Sequence, residues 1–258
     1  MDGLTLTFQL AGINNQNFLM RDEETGTYWQ QISGRAISGP LKGTSLRLIH
    51  CDELSFALWK TEQPGGTVLQ DVAAYTAEYA PRDWDVRMSR YPTVISHAEP
   101  GLAARDLMLG VHAGGGARAF PFKVVQREKL VIDRVGTEPV LLVVGQDNES
   151  VRAFSRVLPG GRGVADFYRL TGASGFMVDS VTASQWDFRG CATQGPMNGA
   201  CLTPVDVIKD YWFDWREYNP DSTVYGITGQ SLKGRRPPGG IPLNEGSVKP
   251  DRGVRPGR

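Results

Sequence analysis

Apolar and polar residues alternate over short stretches through much of the chain. The alternation is clear in LTLTFQL (4–10), and short apolar runs follow in DLMLGVHAGG (106–115), EPVLLVVG (138–145) and SVRAFSRVL (150–158). Stretches of this length, bounded by glycine and proline, are typical of β-strands. The segment 117–137 predicts the end of a strand, a short helical turn and another strand. The pattern therefore predicts a protein rich in short strands.

Two stretches break this alternation. In 51–63 and 204–218 the apolar residues recur every three or four positions, which predicts a short amphipathic helix in each. A last strand is predicted after each helix, at 67–70 and at 223–227. The expected fold class is α+β and predominantly β, with short amphipathic helices.

One arrangement of residues occurs twice, which indicates internal duplication. An aspartate, a threonine three positions later and a tryptophan seven positions later precede Gly-Pro-x-x-Gly, another tryptophan and a proline. The copies lie 157 residues apart before the Gly-Pro and 156 residues apart after it. The matched residues are Asp22, Thr25, Trp29, Gly39, Pro40, Gly43, Trp59 and Pro64, and then Asp179, Thr182, Trp186, Gly195, Pro196, Gly199, Trp215 and Pro220. We interpret them as parts of two related β-rich repeat units.

The repeated residues are predicted to serve the architecture. Gly-Pro-x-x-Gly predicts a turn, because proline presets φ and glycine accepts positive φ. Asp22 and Asp179 are expected to accept hydrogen bonds from backbone N–H groups at a turn or strand end. Trp29 and Trp186 are expected in the core beside the turn, and the second tryptophan of each copy should attach the helix to the sheet. The alternative for the tryptophans is an aromatic platform for sugars or bases.

The two units are expected to be unequal. The second copy follows the predicted strands between 106 and 157, whereas nothing equivalent precedes the first copy. We expect a first, incomplete unit at 1–70, a connecting segment at 71–106, a second unit at 107–228 and a disordered basic tail at 229–258. The first unit is then either shortened at its N-terminus or completed by a protein partner or a second copy.

Charge and hydropathy exclude several classes of partner. Lys plus Arg and Asp plus Glu number 28 each, so no net field attracts nucleic acid or an anionic membrane. The apolar runs fall far short of the roughly 20 residues that span a bilayer. The opening MDGLTLTFQL has no signal-peptide pattern. We therefore expect no nucleic acid partner and no membrane span.

Four stretches carry a resemblance to a known family. They are RDEETGTYWQQISGRAISGPLKGTSL (21–46), RYPTVISHAEPGLAARDLMLGV (90–111), ARAFPFKVV with LVIDRVGTEPVLLV (117–143), and YWFDWREYNPDSTVYG (211–226). In these stretches the chain resembles the bacterial domain-of-unknown-function family 3179, whose members are usually exported. The resemblance implies a periplasmic or extracellular protein and supplies no catalytic residues. Members carry a further front segment with a closely spaced cysteine pair, so by resemblance this chain is N-terminally shortened.

Cysteines and histidines supply candidate chemistry. Cys191 and Cys201 flank the turn GPMNG (195–199), so they form either a cross-strand disulfide or two small apolar thiols. A second hypothesis joins imidazole and thiolate ligands in a copper or zinc site made of His50, Cys51, His97 and His112. The alternative is that the histidines are isolated surface residues or hydrogen-bonded core residues.

Three functions of different classes follow from the sequence. The leading hypothesis is a non-catalytic binding or interaction protein of the bacterial cell envelope. The second is a metal-binding or redox protein that uses the four histidine and cysteine ligands. The third is a hydrolase whose acid and base, Asp22 and Asp179, meet between the two units. The sequence contains no G-x-S-x-G, H-E-x-x-H or P-loop motif, and whether the protein is an enzyme stays open.

Overall fold

The computed structural model describes residues 3–14, 17–93, 99–170 and 176–226. Within them the chain forms sixteen short strands and four short α-helices. In chain order these are β1 (Phe8–Asn14), β2 (Asn17–Asp22), β3 (Tyr28–Gln30), β4 (Ala36–Ser38), α1 (Phe56–Glu62), α2 (Trp84–Met88), β5 (Leu107–Ala113), β6 (Gly116–Pro121), α3 (Phe122–Glu128), β7 (Leu130–Val135), β8 (Glu138–Val144), β9 (Val151–Ser155), β10 (Phe167–Arg169), β11 (Met177–Asp179), β12 (Gln185–Trp186), β13 (Ala192–Gln194), β14 (Pro204–Val205), β15 (Val207–Tyr211), α4 (Trp212–Tyr218) and β16 (Thr223–Val224).

The strands form four sheets of four strands, in the orders β1-β2-β3-β4, β10-β11-β12-β13, β14-β9-β8-β7 and β15-β5-β6-β16. The prediction of an α+β, predominantly β protein is confirmed. The strands predicted in 106–115, 138–145 and 150–158 are β5, β8 and β9. The segment 117–137 holds the end of β6, then α3 and β7, as predicted.

Strand β8 explains why EPVLLVVG is apolar at successive positions. Leu141 and Val143 point into one hydrophobic core, which they share with β9 and the sheet β10–β13. The alternate residues of the range Val140–Val144 point into a second core, which they share with β5 and β6. A strand that is buried on both faces has a nearly continuous apolar sequence. Strand β8 therefore lies between the two cores.

Helix α4 is fixed to the sheet β15-β5-β6-β16 by its first turn. Trp212, Phe213 and Trp215 are buried. The Trp215 ring lies so close to Gly110 of β5 that a Cβ there would be 2.0 Å from a ring carbon. Its indole N–H donates to the Ser222 hydroxyl at 2.8 Å. Glycine at position 110 thus leaves the space that the tryptophan fills.

Helix α1, in contrast, lies at the surface and has no buried residue. Trp59 is half-buried and stacks on Phe56 of the same helix, with the ring centroids 5.7 Å apart. Leu54 and Leu58 make the contact with the core of β8 and β9. Leucines rather than Trp59 therefore attach α1, so the second tryptophans of the two copies have different environments.

Two local predictions from the sequence are wrong. Residues 204–211 contain β14 and β15 rather than the start of a helix, because Val207–Tyr211 pairs antiparallel with Leu107–Val111 of β5. Pairing with β5 outweighs the helical spacing of the apolar residues, and α4 begins only at Trp212. Residues 67–70 form no strand, and Leu69 is 99% exposed.

The connecting segment is largely exposed over residues 70–93, where it contains α2 and a 3-10 turn at Ala73–Tyr75. In the described parts of the chain, no helix is both long and apolar enough to cross a membrane. His97 and the basic tail from 229 onward lie outside the described residues. The division of the chain into four domains stays a prediction.

Candidate interaction surface

The sheets β1–β4 and β10–β13 are built around the same arrangement of a carboxylate and a tryptophan. Asp22 accepts a hydrogen bond from the Trp29 indole N–H at 2.7 Å, and Asp179 accepts one from the Trp186 indole N–H at 2.9 Å. The threonine three residues after each aspartate donates its hydroxyl to the same carboxylate, at 2.8 and 2.7 Å. Backbone N–H groups of the following turn also donate to both carboxylates. Each aspartate therefore fixes a tryptophan and a turn together.

Burial and hydrogen bonding act in opposite directions on these two carboxyls. Burial raises the pKa, whereas the indole, hydroxyl and backbone donors lower it, and the pKa of both Asp22 and Asp179 lies below its usual value. Both carboxyls are therefore ionised, and each accepts several hydrogen bonds. A general acid or base must titrate and face a substrate. These contacts therefore give the hydrolase hypothesis no support, and it stays a prediction.

The Gly-Pro bends pack against the residue five positions after each aspartate, which is Thr27 in the first sheet and Ser184 in the second. Gly39 and Gly195 have φ of 103° and 90°, and a Cβ at either position would lie 2.7 Å from Thr27 Cα or 2.8 Å from Ser184 Cα. Two residues after each glycine, a backbone N–H donates to the Thr27 or Ser184 hydroxyl, at 3.2 and 3.0 Å. Both the positive φ and the close approach require glycine.

One isolated β-bridge differs chemically between the two sheets. Arg35 pairs with Ser45 beside the first sheet, and Cys191 pairs with Cys201 at the corresponding place in the second. The structure joins the two cysteines in a disulfide, with their Cα atoms 4.0 Å apart. Cys51 is a free, exposed cysteine. The second bend is thus covalently closed, whereas the first is closed by backbone pairing.

One face of the sheet β1–β4 is almost entirely apolar. Side chains directly opposite each other in antiparallel strands point to the same face. By this rule, the strand register places Asp22 and seven apolar side chains on one face, which we call the first apolar face. The seven are Phe8, Leu10, Ile13, Phe18, Met20, Trp29 and Ala36. Trp29 is completely buried, but Leu10, Ile13 and Phe18 are 66%, 70% and 52% exposed. The C-terminal end of β1 and the N-terminal end of β2 therefore present apolar side chains to solvent on this face.

The corresponding face of the sheet β10–β13 is covered. The apolar side chains of this second apolar face are Phe167, Met177, Trp186 and Ala192, and the register places Asp179 and Arg169 on it as well. Side chains of β8 and β9 pack against it, and all four apolar residues are buried. Phe8 and Phe167 both lie edge-on to their tryptophan at 5.9 Å, yet Phe8 is 36% exposed and Phe167 is 1% exposed. The two faces have the same arrangement of phenylalanine and tryptophan, but β8 and β9 pack only against the second face.

Exposure of large apolar side chains is concentrated in the N-terminal part of the described chain. Of 21 such side chains, 17 lie in residues 3–93 and four lie in residues 99–226. The second group consists of Val157, Val164, Tyr168 and Val181. Single exposed apolar residues are ordinary on protein surfaces, whereas a contiguous group of them indicates an interaction surface. Leu10, Ile13 and Phe18 form such a group, because they share one face of neighbouring strands.

Ion pairs and a hydrogen-bonded carboxylate attach the segment around α1 to the body. Arg152 of β9 is 7% exposed, and it donates to Asp52 at 2.8 Å and to both Glu62 oxygens at 2.8 and 2.7 Å. Burial lowers the pKa of Arg152, but the two carboxylates outweigh it and the pKa is raised. The Ser55 hydroxyl donates to Asp147 at 2.6 Å. Burial opposes ionisation of Asp147, yet hydrogen bonds from serines lower its pKa to about 2.

A carboxyl pair lies where the first sheet meets α4. Burial and the nearby Asp214 raise the pKa of Asp210 to about 8, so the pair of carboxyls retains a proton at neutral pH. Asp214 is 7% exposed and accepts a hydrogen bond from the Asn17 side chain of β2 at 2.5 Å. Burial also raises the pKa of Asp214, although its hydrogen bonds to Asn17 and Asp210 act against this. The contact between β2 and α4 therefore depends on a carboxyl pair, Asp210 and Asp214, that retains a proton.

The predicted metal ligands make separate contacts. His50 Nδ1 lies 2.7 Å from Asp206 Oδ1, whereas His112 Nε2 lies 2.5 Å from Asn219 Oδ1. Cys51 is exposed. Within the described residues, no group of three or more His, Cys, Asp or Glu side chains is arranged to hold a metal. The fourth predicted ligand lies outside those residues, so the copper or zinc site stays a prediction.

Comparison with known proteins identifies the family. The model of the family described as "Protein of unknown function (DUF3179)" matches residues 1–222. The chain belongs to this family. The resemblance carried by the four sequence stretches is thereby confirmed. Comparisons of this DUF3179 chain with curated proteins and with solved structures found no match.

Sequence reasoning missed two of these contacts. Arg152 lies 100 and 90 residues from its partners Asp52 and Glu62. Asn17 lies 197 residues from Asp214, so no local pattern connects either pair. The spacing of the aspartates at 210 and 214 gives no helical signal either, because Asp210 lies in β15 and α4 begins at Trp212.

Proposed function

We propose that this DUF3179 protein is a non-catalytic binding protein of the bacterial cell envelope, and that it binds another polypeptide through the apolar surface of residues 3–93. The observation that carries the proposal is the uneven exposure, with 17 of 21 exposed large apolar side chains in these residues. Exposed apolar surface is unfavourable in water, and a partner that covers it gains free energy. The envelope location rests on the export that is usual in the family.

The composition of β1 supports binding by apolar contact. Its sequence, FQLAGIN, contains no charged residue. Among the described residues, β1 is an edge strand that pairs with β2 alone. Charges on an edge strand discourage pairing with another chain. The overall net charge is zero, so long-range attraction contributes little to the encounter.

The matched contacts of the two sheets support the further proposal that they are copies of one unit. The aspartate, threonine and tryptophan at the matched positions make the same hydrogen bonds in both sheets. Two residues after each matched glycine, a backbone N–H donates to the hydroxyl of Thr27 or Ser184. On this proposal the first unit is incomplete, because its apolar face lacks the cover that the second face has. The bound polypeptide completes it.

Site-specific photo-cross-linking in living cells tests the binding proposal. A photoreactive residue at Leu10 or Ile13 should give one discrete cross-linked product. The same residue at Val157 or Val164, which are also exposed, should give none. Phe18→Asp should abolish the product, because the contact would then bury an unpaired charge. Equal products at all four positions, or none at Leu10 and Ile13, would contradict the proposal.

The metal hypothesis has a separate test. Elemental analysis of the purified protein should find no stoichiometric copper or zinc if the protein acts only by binding a polypeptide. Stoichiometric metal that disappears in the double variant His97→Ala, His112→Ala would replace the binding proposal with a metal site.

A further inference from the structure

We infer that the first apolar face docks against another β-sheet, one whose apolar face resembles the face that β8 and β9 present to the sheet β10–β13. This inference rests on the proposed function and names the chemistry of the bound polypeptide. The second apolar face supplies the model for the contact, because both partners of that contact lie in this chain.

The two faces agree in their geometry at the aromatic end. The phenylalanine of the edge strand lies edge-on to the tryptophan in both sheets, with the ring centroids 5.9 Å apart. Met20 opposite Trp29 corresponds to Met177 opposite Trp186. Met177 is completely buried, whereas Met20 is only half-buried. Since the methionine–tryptophan and tryptophan–alanine pairs have the same register in both sheets, we attribute the difference in methionine burial to the cover of the second face.

The cover of the second face is a β-sheet surface. Leu141 and Val143 of β8 and Phe154 of β9 pack against it, together with Leu158. Two β-sheets pack face to face at about 10 Å, and their inward-pointing side chains interdigitate. A flat array of leucine, valine and phenylalanine therefore fits a face of this design.

One position shows how the second sheet is matched to its cover. Arg169 is opposite Met177 in the second sheet, as Leu10 is opposite Met20 in the first. Arg169 donates to the Val144 carbonyl of β8 at 3.2 Å. Leu10 offers no such polar contact, and β1 continues beyond it to the exposed Ile13. The partner of the first face should therefore be apolar over a longer strand.

The charge on the first apolar face also favours an apolar partner. Its carboxylate, Asp22, is completely buried and already accepts hydrogen bonds from Trp29 and Thr25. A charged partner side chain placed over Leu10 or Ile13 would lose hydration and gain no opposite charge. The complementary surface is thus uncharged.

The β8–β9 sheet of a second copy cannot be the partner, because both of its faces are already buried. Leu141 and Val143 pack under the sheet β10–β13, and the alternate residues of Val140–Val144 pack against β5 and β6. The occupant is therefore a different β-sheet with an apolar face of the same kind.

The test adds a second copy of residues 99–166, which contain β5 to β9, in front of residue 3 of the full chain through a flexible linker. Amide hydrogen exchange in β1 and β2 should slow by about tenfold or more. Fluorescence of the apolar dye bis-ANS should fall by about threefold as the face becomes covered. Both changes are measured against the unextended chain.

Matched variants separate docking from a general effect of the extension. Leu141→Asp with Phe154→Asp in the added copy alone should cancel both changes. Ile13→Asp with Phe18→Asp in the first sheet should cancel them as well. Val181→Asp, at an exposed position of the second unit, should leave them intact.

Three outcomes overturn the inference. The first is an unchanged rate of amide exchange in β1 and β2 after the extension. This outcome counts even if the added copy is disordered, because docking on a matching face should order the added copy. The second is equal protection by the copy that carries the aspartates. The third is a stable dimer of the unextended chain with β1 and β2 already protected, which would make a second copy the occupant.

The two proposals fail in distinguishable ways. Cross-links at Leu10 and Ile13 in cells, without protection by the added copy, would keep the proposed function and overturn the β-sheet partner. Protection by the added copy without cross-links would show the complementary chemistry of the face and overturn binding in the cell.

Discussion

The sheets β1–β4 and β10–β13 are built alike and surrounded differently. In both, a buried aspartate holds a tryptophan indole, a threonine hydroxyl and the N–H groups of a turn. The second sheet also packs under β8 and β9 and has the disulfide. The contacts that the two sheets share are made within short stretches of chain. Burial depends on residues that are distant in sequence, and there the two sheets differ.

This difference has a consequence for stability. A hydrogen bond within the protein replaces one to water, so it contributes only about 1 kcal/mol, whereas each large apolar side chain that is buried contributes about 2 kcal/mol. The two sheets share their hydrogen bonds, but only the second belongs to a large core. We therefore expect the first sheet to open at a lower free energy than the second.

The largest expected effect is that of Trp186→Ala, which should lower the free energy of unfolding by about 4 kcal/mol. Trp186 is completely buried in the core shared with β8 and β9, and its loss removes a donor from the buried Asp179. Trp29→Ala removes the same indole from Asp22, but Trp29 belongs to none of the three core clusters of the described residues. Its effect should be smaller. Urea unfolding followed by circular dichroism measures both.

Tryptophan-to-phenylalanine variants separate the two causes. At either position, phenylalanine keeps an aromatic six-membered ring and removes the indole N–H with the five-membered part of the ring, so the two losses should be closer to each other than those of the alanine variants. If Trp29→Ala and Trp186→Ala also lost equal stability, packing against β8 and β9 would add nothing to the stability of the second sheet. The expected difference in stability between the two sheets would then be wrong.

The disulfide should have the next largest effect. Replacing Cys191 and Cys201 by serine opens a loop with a sequence separation of ten residues, which should cost about 2 to 3 kcal/mol. The reverse experiment introduces Arg35→Cys with Ser45→Cys at the corresponding bridge of the first sheet. Under oxidising conditions it should stabilise that sheet by about 1 to 2 kcal/mol. Thermal unfolding and amide exchange, with and without reductant, measure both changes.

The part of the protein that the engineered disulfide stabilises shows whether the first sheet opens independently of the rest of the protein. If it does, the engineered bridge should slow exchange in β1–β4 and leave the main thermal transition almost unchanged. Loss of the native disulfide should lower the temperature of the main thermal transition. If the engineered disulfide raised that temperature by the same amount, the two sheets would unfold together.

Local chemistry explains which features could be predicted from the sequence. Asp22 and Trp29 lie seven residues apart and bond directly, so their repetition at 179 and 186 indicated a common arrangement. Gly39 was predictable because only glycine tolerates its φ and its approach to Thr27. Short apolar runs between turns likewise predicted β5, β8 and β9.

Features that depend on distant residues could not be predicted. The repeated pattern suggested that Trp59 attaches its helix to the sheet as Trp215 does, but Trp215 is buried because Gly110 of β5 leaves space for it. Helical spacing also suggested a helix in 204–211, where pairing with β5 makes a strand. In each case the deciding partner lies far along the chain, and a pattern within one segment contains no information about it.

The smallest expected effect concerns the carboxyl pair between β2 and α4. Burial and Asp214 raise the pKa of Asp210 to about 8, whereas an aspartate in the unfolded chain has a pKa near 3.9. The folded state therefore retains a proton that the unfolded state releases. The stabilisation is fully present below about pH 4 and declines as the pH rises to about 8. Groups around the pair are Asn17, Glu217 and the Tyr211 backbone N–H.

Asp210→Asn tests this assignment and the attachment of the first sheet together. The amide can donate to Asp214 but cannot ionise, so between pH 5 and pH 8 the variant should lose less stability than the parent. Asp221→Asn, at an exposed position, should leave the pH dependence unchanged. Because Asn17 of β2 donates to Asp214, amide exchange at the start of β2 should quicken between pH 7 and pH 9, beyond its intrinsic pH dependence, in the parent but not in Asp210→Asn. Equal pH dependence in the two proteins would mean that the proton is not held at this pair, and that the first sheet meets α4 through a contact that does not titrate.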